Sequence, residues 1–299
     1  MFRDGVSGPS RLSARSRLMR LAFTTAAALL LALGTPGVAQ EKSAQDKSVF
    51  ESVEICNGAN GAAVEARIRA CTVIIDARVG NSDAAAVAYN NRGSARAQTG
   101  ELDLALKDYD TALQLNPTFS KAFNNRGVTF ARKGDYDRAI KDFSEAIVAE
   151  PEFANAFANR GGVHGKKADY PLALKDFDEA IRLQPTLGTL WNERCWIRAI
   201  TGALQAALAD CNEAIRLGPR SAARFDSRGL TYLKLGQWQA AIADYDTALQ
   251  MRPAMASALY GRGVAKQRAG DAAGGSADIG AATAASRNIA NEFASYGLR

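Results

Sequence analysis

One fixed period runs through most of this 299-residue chain. Gly93, Gly127 and Gly161 stand 34 apart, Cys195 falls on the next beat, and Gly229 and Gly263 resume it. Ala105, Ala139, Ala173, Ala207 and Ala241 keep the same spacing, as do Ala112, Ala146, Ala180, Ala214, Ala248 and Ala282. Pro117, Pro151, Pro185, Pro219 and Pro253 close successive units. Aromatic residues recur at Tyr89, Phe123, Phe157, Trp191 and Phe225, and again at Tyr109, Phe143, Phe177 and Tyr245. Each unit reads as two amphipathic helices. A turn such as Gly100-Glu101 or Gly134-Asp135 joins them, and the proline stops the second helix. Small residues let two helix backbones approach, and large aromatics fill the gaps between them. One such unit cannot bury its own apolar face, so neighbours must stack into a solenoid.

With the recurrent glycine as position 8, units start at residues 86, 120, 154, 188, 222 and 256. Alanine at positions 20 and 27, aromatics at 4 and 24 and proline at 32 then form a pattern that resembles the tetratricopeptide-repeat family. The resemblance covers residues 86–285. It implies an all-α fold, a right-handed superhelical solenoid of helix-turn-helix units with capping helices at both ends. The sixth unit departs from the pattern, with Gly275 at position 20, Leu259 at position 4 and no closing proline. Residues 286–299 are expected to form a C-terminal capping helix with a polar outer face.

Residues 1–39 read as an address. Arg11 to Arg20 is basic without acids, Leu21 to Leu33 is an apolar run of 13, and Val38-Ala39 precedes Gln40 after the breakers Gly34 and Pro36. That is the three-part pattern of a secretory signal peptide. The run is shorter than the roughly 20 residues a membrane span needs, so no transmembrane span is expected in the mature form. The expected location is the periplasm, and residues 40–48 read as a polar linker. The segment also carries much of the charge. Five arginines and one acid lie in it, so a net charge of +6 falls to +2 without it. A basic tail that is removed cannot bind phosphate, and no nucleic-acid partner is expected.

Position 7, usually apolar in the family, is Arg92, Arg126, Arg160, Arg194, Arg228 and Arg262. Position 23, usually aromatic, is Asp108, Asp142, Asp176, Asp210, Asp244 and Asp278. A partly buried arginine needs a partner, and an aspartate keeps its period, so these read as structural ion pairs between packed helices.

The four cysteines fall into two similar pairs. Residues 67–75 resemble 207–215 with Cys71 over Cys211, and nearly the same interval separates Cys56 from Cys71 as Cys195 from Cys211. In a secreted chain this spacing points to the disulfides Cys56–Cys71 and Cys195–Cys211, each stapling one helical hairpin. Residues 49–85 then form a stapled N-terminal cap. Buried free cysteines, or a metal or redox site, are the alternatives, although no C-x-x-C motif is present.

Little else suggests chemistry. His164 is the single histidine, at position 11, and reads as a packed residue; Gly161 to Lys167 has the wrong spacing for a phosphate loop. The expectation is a non-catalytic protein with no cofactor and no metal.

The family resemblance implies that positions 2, 5, 6, 9, 12 and 13 of each first helix face a concave groove. Position 6 carries Asn91, Asn125 and Asn159 before the ladder stops at Glu193; Asn90 and Asn124 stand at position 5. An asparagine offers an acceptor and two donors, which suits the amides of an extended peptide. Trp196, Leu230 and Leu233 are candidate apolar anchors, with Arg132 and Lys166 on a basic rim. The expected ligand is an extended, mildly acidic peptide, and the expected role a protein-binding scaffold or adaptor in the cell envelope. An RNA-binding helical-repeat protein is the competing class, with an unrecognised enzyme behind it.

Overall fold

The computed structural model describes residues 49–78 and 80–298. The leader expected at 1–39 and the linker at 40–48 lie outside the described residues. The chain divides into two units, residues 1–54 and 55–299. In the first, the described residues 49–54 are helical.

The second unit is a series of helical hairpins. A short turn of helix, Ala59–Gly61, precedes α1 (Val64–Asp76). Then come six pairs: α2 (Ser82–Thr99) with α3 (Leu102–Leu115), α4 (Ser120–Arg132) with α5 (Tyr136–Ala149), and α6 (Ala154–Lys166) with α7 (Tyr170–Leu183). They continue as α8 (Gly188–Ile200) with α9 (Leu204–Leu217), α10 (Ala222–Lys234) with α11 (Trp238–Met251), and α12 (Ala256–Arg268) with α13 (Ala272–Ala285). The last helix is α14 (Ile289–Ser295). The described part is all-helical, and helices of consecutive pairs pack side by side as in a solenoid. Among the described residues no helix is long and apolar enough to cross a membrane.

The sequence frame and the helices coincide. From the second unit on, first helices occupy positions 1–13 and second helices positions 17–30. The first unit differs: α2 begins at Ser82, a turn before residue 86, because the Asn81 side chain caps it by accepting from the Ala84 amide at 3.0 Å. Within each pair the turn reverses the chain through a left-handed residue at position 15. Gly134 has φ 81° there, and the Asp135 amide donates back to the Phe130 carbonyl at 2.9 Å. In the third unit Ala168 adopts φ 60° at the same place.

Small residues bring the paired helices together. The recurrent alanines at positions 20 and 27 are fully buried. A Cβ on Gly127 would stand 2.8 Å from the Phe143 ring, and one on Gly93 or Gly229 would meet Tyr109 or Tyr245 equally closely. Glycine at 8 and an aromatic at 24 therefore form one steric unit. The fourth hairpin replaces both members: Cys195 and Cys211 are bonded, with Cα atoms 5.3 Å apart. Cys56 and Cys71 are joined likewise at a Cα separation of 4.8 Å, and among the described residues no cysteine is free. Both separations lie within the range that disulfide geometry allows.

All six arginines at position 7 reach the aspartate at position 23 of their own unit, and each of these aspartates is buried. Arg126 donates to both carboxylate oxygens of Asp142, at 2.7 and 2.8 Å. Its remaining nitrogen donates to Asp110 of the preceding unit at 2.7 Å. Arg160 bridges in the same way to Ser144, Arg194 to Asp178, Arg228 to Asn212, Arg262 to Asp246 and Arg92 to Thr72. In the first five units the guanidinium also lies over the position-4 aromatic of its own helix, 4.9–5.7 Å from the ring centre. The hydrogen bond from Arg126 to Asp142 raises the arginine's pKa further above its ordinary value.

Removing one partner of such a pair strands a buried carboxylate. Arg126→Ala is expected to lower unfolding stability by about 3 kcal/mol. The double change Arg126→Met with Asp142→Leu should cost clearly less. Urea denaturation followed by circular dichroism measures both; an unchanged midpoint for Arg126→Ala would refute the staple.

Candidate binding groove

First helices of successive units line a cavity of about 740 Å³. Val128, Ala131 and Arg132 come from α4; Ala158, Asn159, Gly162 and Lys166 from α6; Asn192, Glu193, Trp196 and Ile197 from α8; Ala223, Asp226 and Ser227 from α10. Phe143 and Phe177 of the second helices close its apolar back. Most lining residues stand at positions 2, 5, 6, 9, 12 and 13, one stripe of the 3.6-residue period, and the helices expose that stripe because their opposite faces are buried within the pairs.

The asparagines form a ladder between repeats. Asn125 Nδ2 donates to Asn90 Oδ1 at 3.0 Å, and Asn159 Nδ2 donates to Asn124 Oδ1 at 2.8 Å. Asn91 Nδ2 continues it at 2.9 Å to Asn57 Oδ1, ahead of α1. Each rung joins neighbouring units. Asn90 and Asn124 are themselves buried, so their carbonyl oxygens serve the fold. Asn57 was legible in the sequence, since it stands one full period before Asn91.

The ladder changes character at the fourth unit. Asn192 occupies position 5, but position 6 of the next unit is Ser227, whose side chain is shorter. Asn192 Oδ1 is buried with no hydrogen-bond partner. Glu193 opens to the groove, yet the surrounding walls desolvate its carboxyl and push its pKa up, against a hydrogen bond from Asn192. Burial pushes Asp226 up to about 7; Ser257 donates to it at 2.9 Å, and Glu292 adds like-charge repulsion while Arg252 opposes it. The repeat frame marks Glu193 only as the end of the ladder and gives Asn192 and Asp226 no separate role. Their signal was the periodic one: Asp226 stands one full period after Asn192.

The other candidates separate. Trp196 lies in the cavity wall, edge-on to Tyr296 at 5.8 Å between ring centres. Leu230 and Leu233 do not face the groove. Both are buried in a core cluster with Ile289 and Phe293 of α14, and Tyr296 and Leu298 pack against the same cluster. The C-terminal segment covers this apolar surface, which the repeat frame alone marks as exposed. On the basic rim, Arg132 and Lys166 line the cavity, but Arg132 also donates to the Ala97 carbonyl at 2.5 Å, completing the end of α2. Lys234 does the same for the Ile200 carbonyl at 3.1 Å. His164 is buried, its Nδ1 3.7 Å from Asp169 Oδ2, too far for a hydrogen bond. The cavity is thus basic toward α4 and α6 and acidic toward α8 and α10.

The family description "Tetratricopeptide repeat" matches residues 86–119 and 120–153, and again 159–222; "TPR repeat" matches residues 229–270. Among solved structures, YrrB, titled a TPR protein with an unusual peptide-binding site, is 26% identical, with a TM-score of 0.53 over 64% of this chain and 97% of its own. A tetratricopeptide repeat protein from Parabacteroides merdae superposes with a TM-score of 0.62 at 18% identity, over 84% of this chain and 98% of its own. PilF of Pseudomonas aeruginosa gives 0.59 at 17% identity, over 72% and 96%. No curated protein matches.

Asp226 generates a pH prediction. A carboxyl whose folded pKa is raised contributes most stability when protonated, and that contribution is lost as pH rises from about 4 to about 7. Asp226→Asn should therefore leave thermal stability nearly unchanged at pH 4 and raise it by a growing margin up to pH 7. A pH-independent difference in melting temperature would contradict the raised pKa.

Proposed function

Because this chain belongs to the tetratricopeptide-repeat family, whose members generally mediate protein–protein interactions, we propose that it is a non-catalytic adaptor of the cell envelope that holds an extended peptide segment of a partner protein in its groove. The observation that carries this reading is the cavity itself. It spans four consecutive first helices, has an apolar back and keeps polar groups at its edges, which is the general form of a recognition site. The peptide-binding site named for YrrB supports the same class of ligand. An extended segment suits a groove of parallel helices because its amides can meet side chains from successive units.

The envelope location rests on the leader pattern of residues 1–39 and on the two cysteine pairs, which need an oxidising compartment to stay bonded. The full chain expressed with its leader is expected to yield a mature form beginning at Gln40. All four cysteines should resist alkylation under denaturing conditions until a reductant is added. An intact leader with four reactive thiols would place the protein in a reducing compartment and refute this part.

Gly162 provides the test of the groove. It lines the cavity, and a Cβ added there meets nothing within 4 Å. Glycine within a helix costs about 0.5–1 kcal/mol relative to alanine, so Gly162→Trp should fill the cavity without lowering the melting temperature. In-cell crosslinking is expected to capture partners with the wild type and lose them with Gly162→Trp. Equal capture by both would move binding away from the groove.

A further inference from the structure

The buried aspartates of this protein are answered by cations. Each of the six aspartates at position 23 has an arginine on it. Glu193 and Asp226 differ: among the described residues, neither has a guanidinium or ammonium within ion-pairing distance. Both line the same cavity. Asn192, between them on the ladder, lines it too, with a buried Oδ1 that accepts from no donor. In the two preceding rungs the corresponding position-5 oxygens, those of Asn90 and Asn124, are satisfied by the asparagine of the next unit. Here Ser227 leaves the acceptor open. The result is a pair of carboxylates without a cation and one carbonyl oxygen without a donor, beside the apolar faces of Trp196 and Ile197.

We propose that this end of the cavity receives a basic side chain, arginine or lysine, of the bound peptide; the proposal rests on the groove reading above and gives the ligand its charge. A guanidinium carries five N–H donors and no acceptor, and an ammonium three, so either supplies the positive charge that Glu193 and Asp226 lack and the donor that Asn192 Oδ1 lacks. The stem of such a residue is apolar and lies along Trp196 and Ile197, with the cation able to sit over the indole. An acidic side chain in this place adds repulsion, and a neutral one leaves the two carboxylates without a counter-charge. The ligand charge at this end is therefore opposite to the mildly acidic peptide that the rim residues Arg132 and Lys166 suggest by themselves. Those two residues line the cavity from α4 and α6 and suit an acidic residue of the same peptide.

The test uses a random dodecamer peptide library displayed on phage, selected against the full mature chain and against Gly162→Trp. Peptides that bind the wild type and not Gly162→Trp are synthesised and titrated by the fluorescence of the tryptophans. The expected outcome is a shared arginine or lysine. The variant Glu193→Gln with Asp226→Asn should bind these peptides at least tenfold more weakly. Replacing the shared basic residue with norleucine should weaken wild-type binding by a similar factor and leave the double variant unaffected. If groove-dependent peptides share no basic residue, or bind the double variant equally well, this proposal fails while the groove reading stands. If no peptide is enriched, or those enriched bind Gly162→Trp as tightly as wild type, the groove reading fails and takes this proposal with it.

Discussion

The arginine at position 7 does three jobs at once, and the solenoid depends on their coincidence. Its fork holds the buried aspartate on the second helix of its own unit. Its free nitrogen holds a polar side chain on the second helix of the unit before. Its flat face lies on the aromatic one turn earlier in its own helix. One side chain thus ties three helices. A hydrophobic residue in its place could pack against its neighbours but could not set the register between units, because apolar contact has no direction. Intra-unit and inter-unit order are coupled at the same atom group, which is how stacked repeats acquire cooperativity.

Next to the staple, the glycine–aromatic contact sets how closely the paired helices approach. The fourth hairpin shows that contact to be exchangeable. Cys195 and Cys211 replace the glycine and the ring together, so a covalent link stands where a steric fit stands elsewhere. Small residues and a short covalent bridge solve the same problem of two backbones held near each other.

The groove is built by the opposite logic. Along the first three units its polar groups are spent on the fold, since the asparagines answer one another across repeats. From the fourth unit on, the pairing lapses at Asn192, and Glu193 and Asp226 enter the lining. Desolvated carboxylates without a cation cost stability. A protein that pairs its buried aspartates with arginine so consistently, yet leaves Glu193 and Asp226 without a cation on a cavity wall, holds them where a ligand can reach. The legible part of the site was its periodic face. Charge balance around Glu193 and Asp226 was not legible, because it depends on which side chains of neighbouring units are long enough to meet.

By itself the sequence determined the hairpin frame. The helix bounds, the Arg–Asp pairs and the cysteine spacing all arise from contacts within a unit or between adjacent units, and such contacts repeat with the chain and leave a period to read. Tertiary structure alone decided what covers the groove and what its asparagines do. Leu230 and Leu233 stand at groove positions but are buried in the cluster that includes Ile289 and Phe293, because the C-terminal segment packs there. That segment lies outside the repeat, so no period announces where it packs. The asparagine rungs likewise needed coordinates, since an identical residue at an identical register can face a ligand or its own neighbour, and only the distance between adjacent helices decides which.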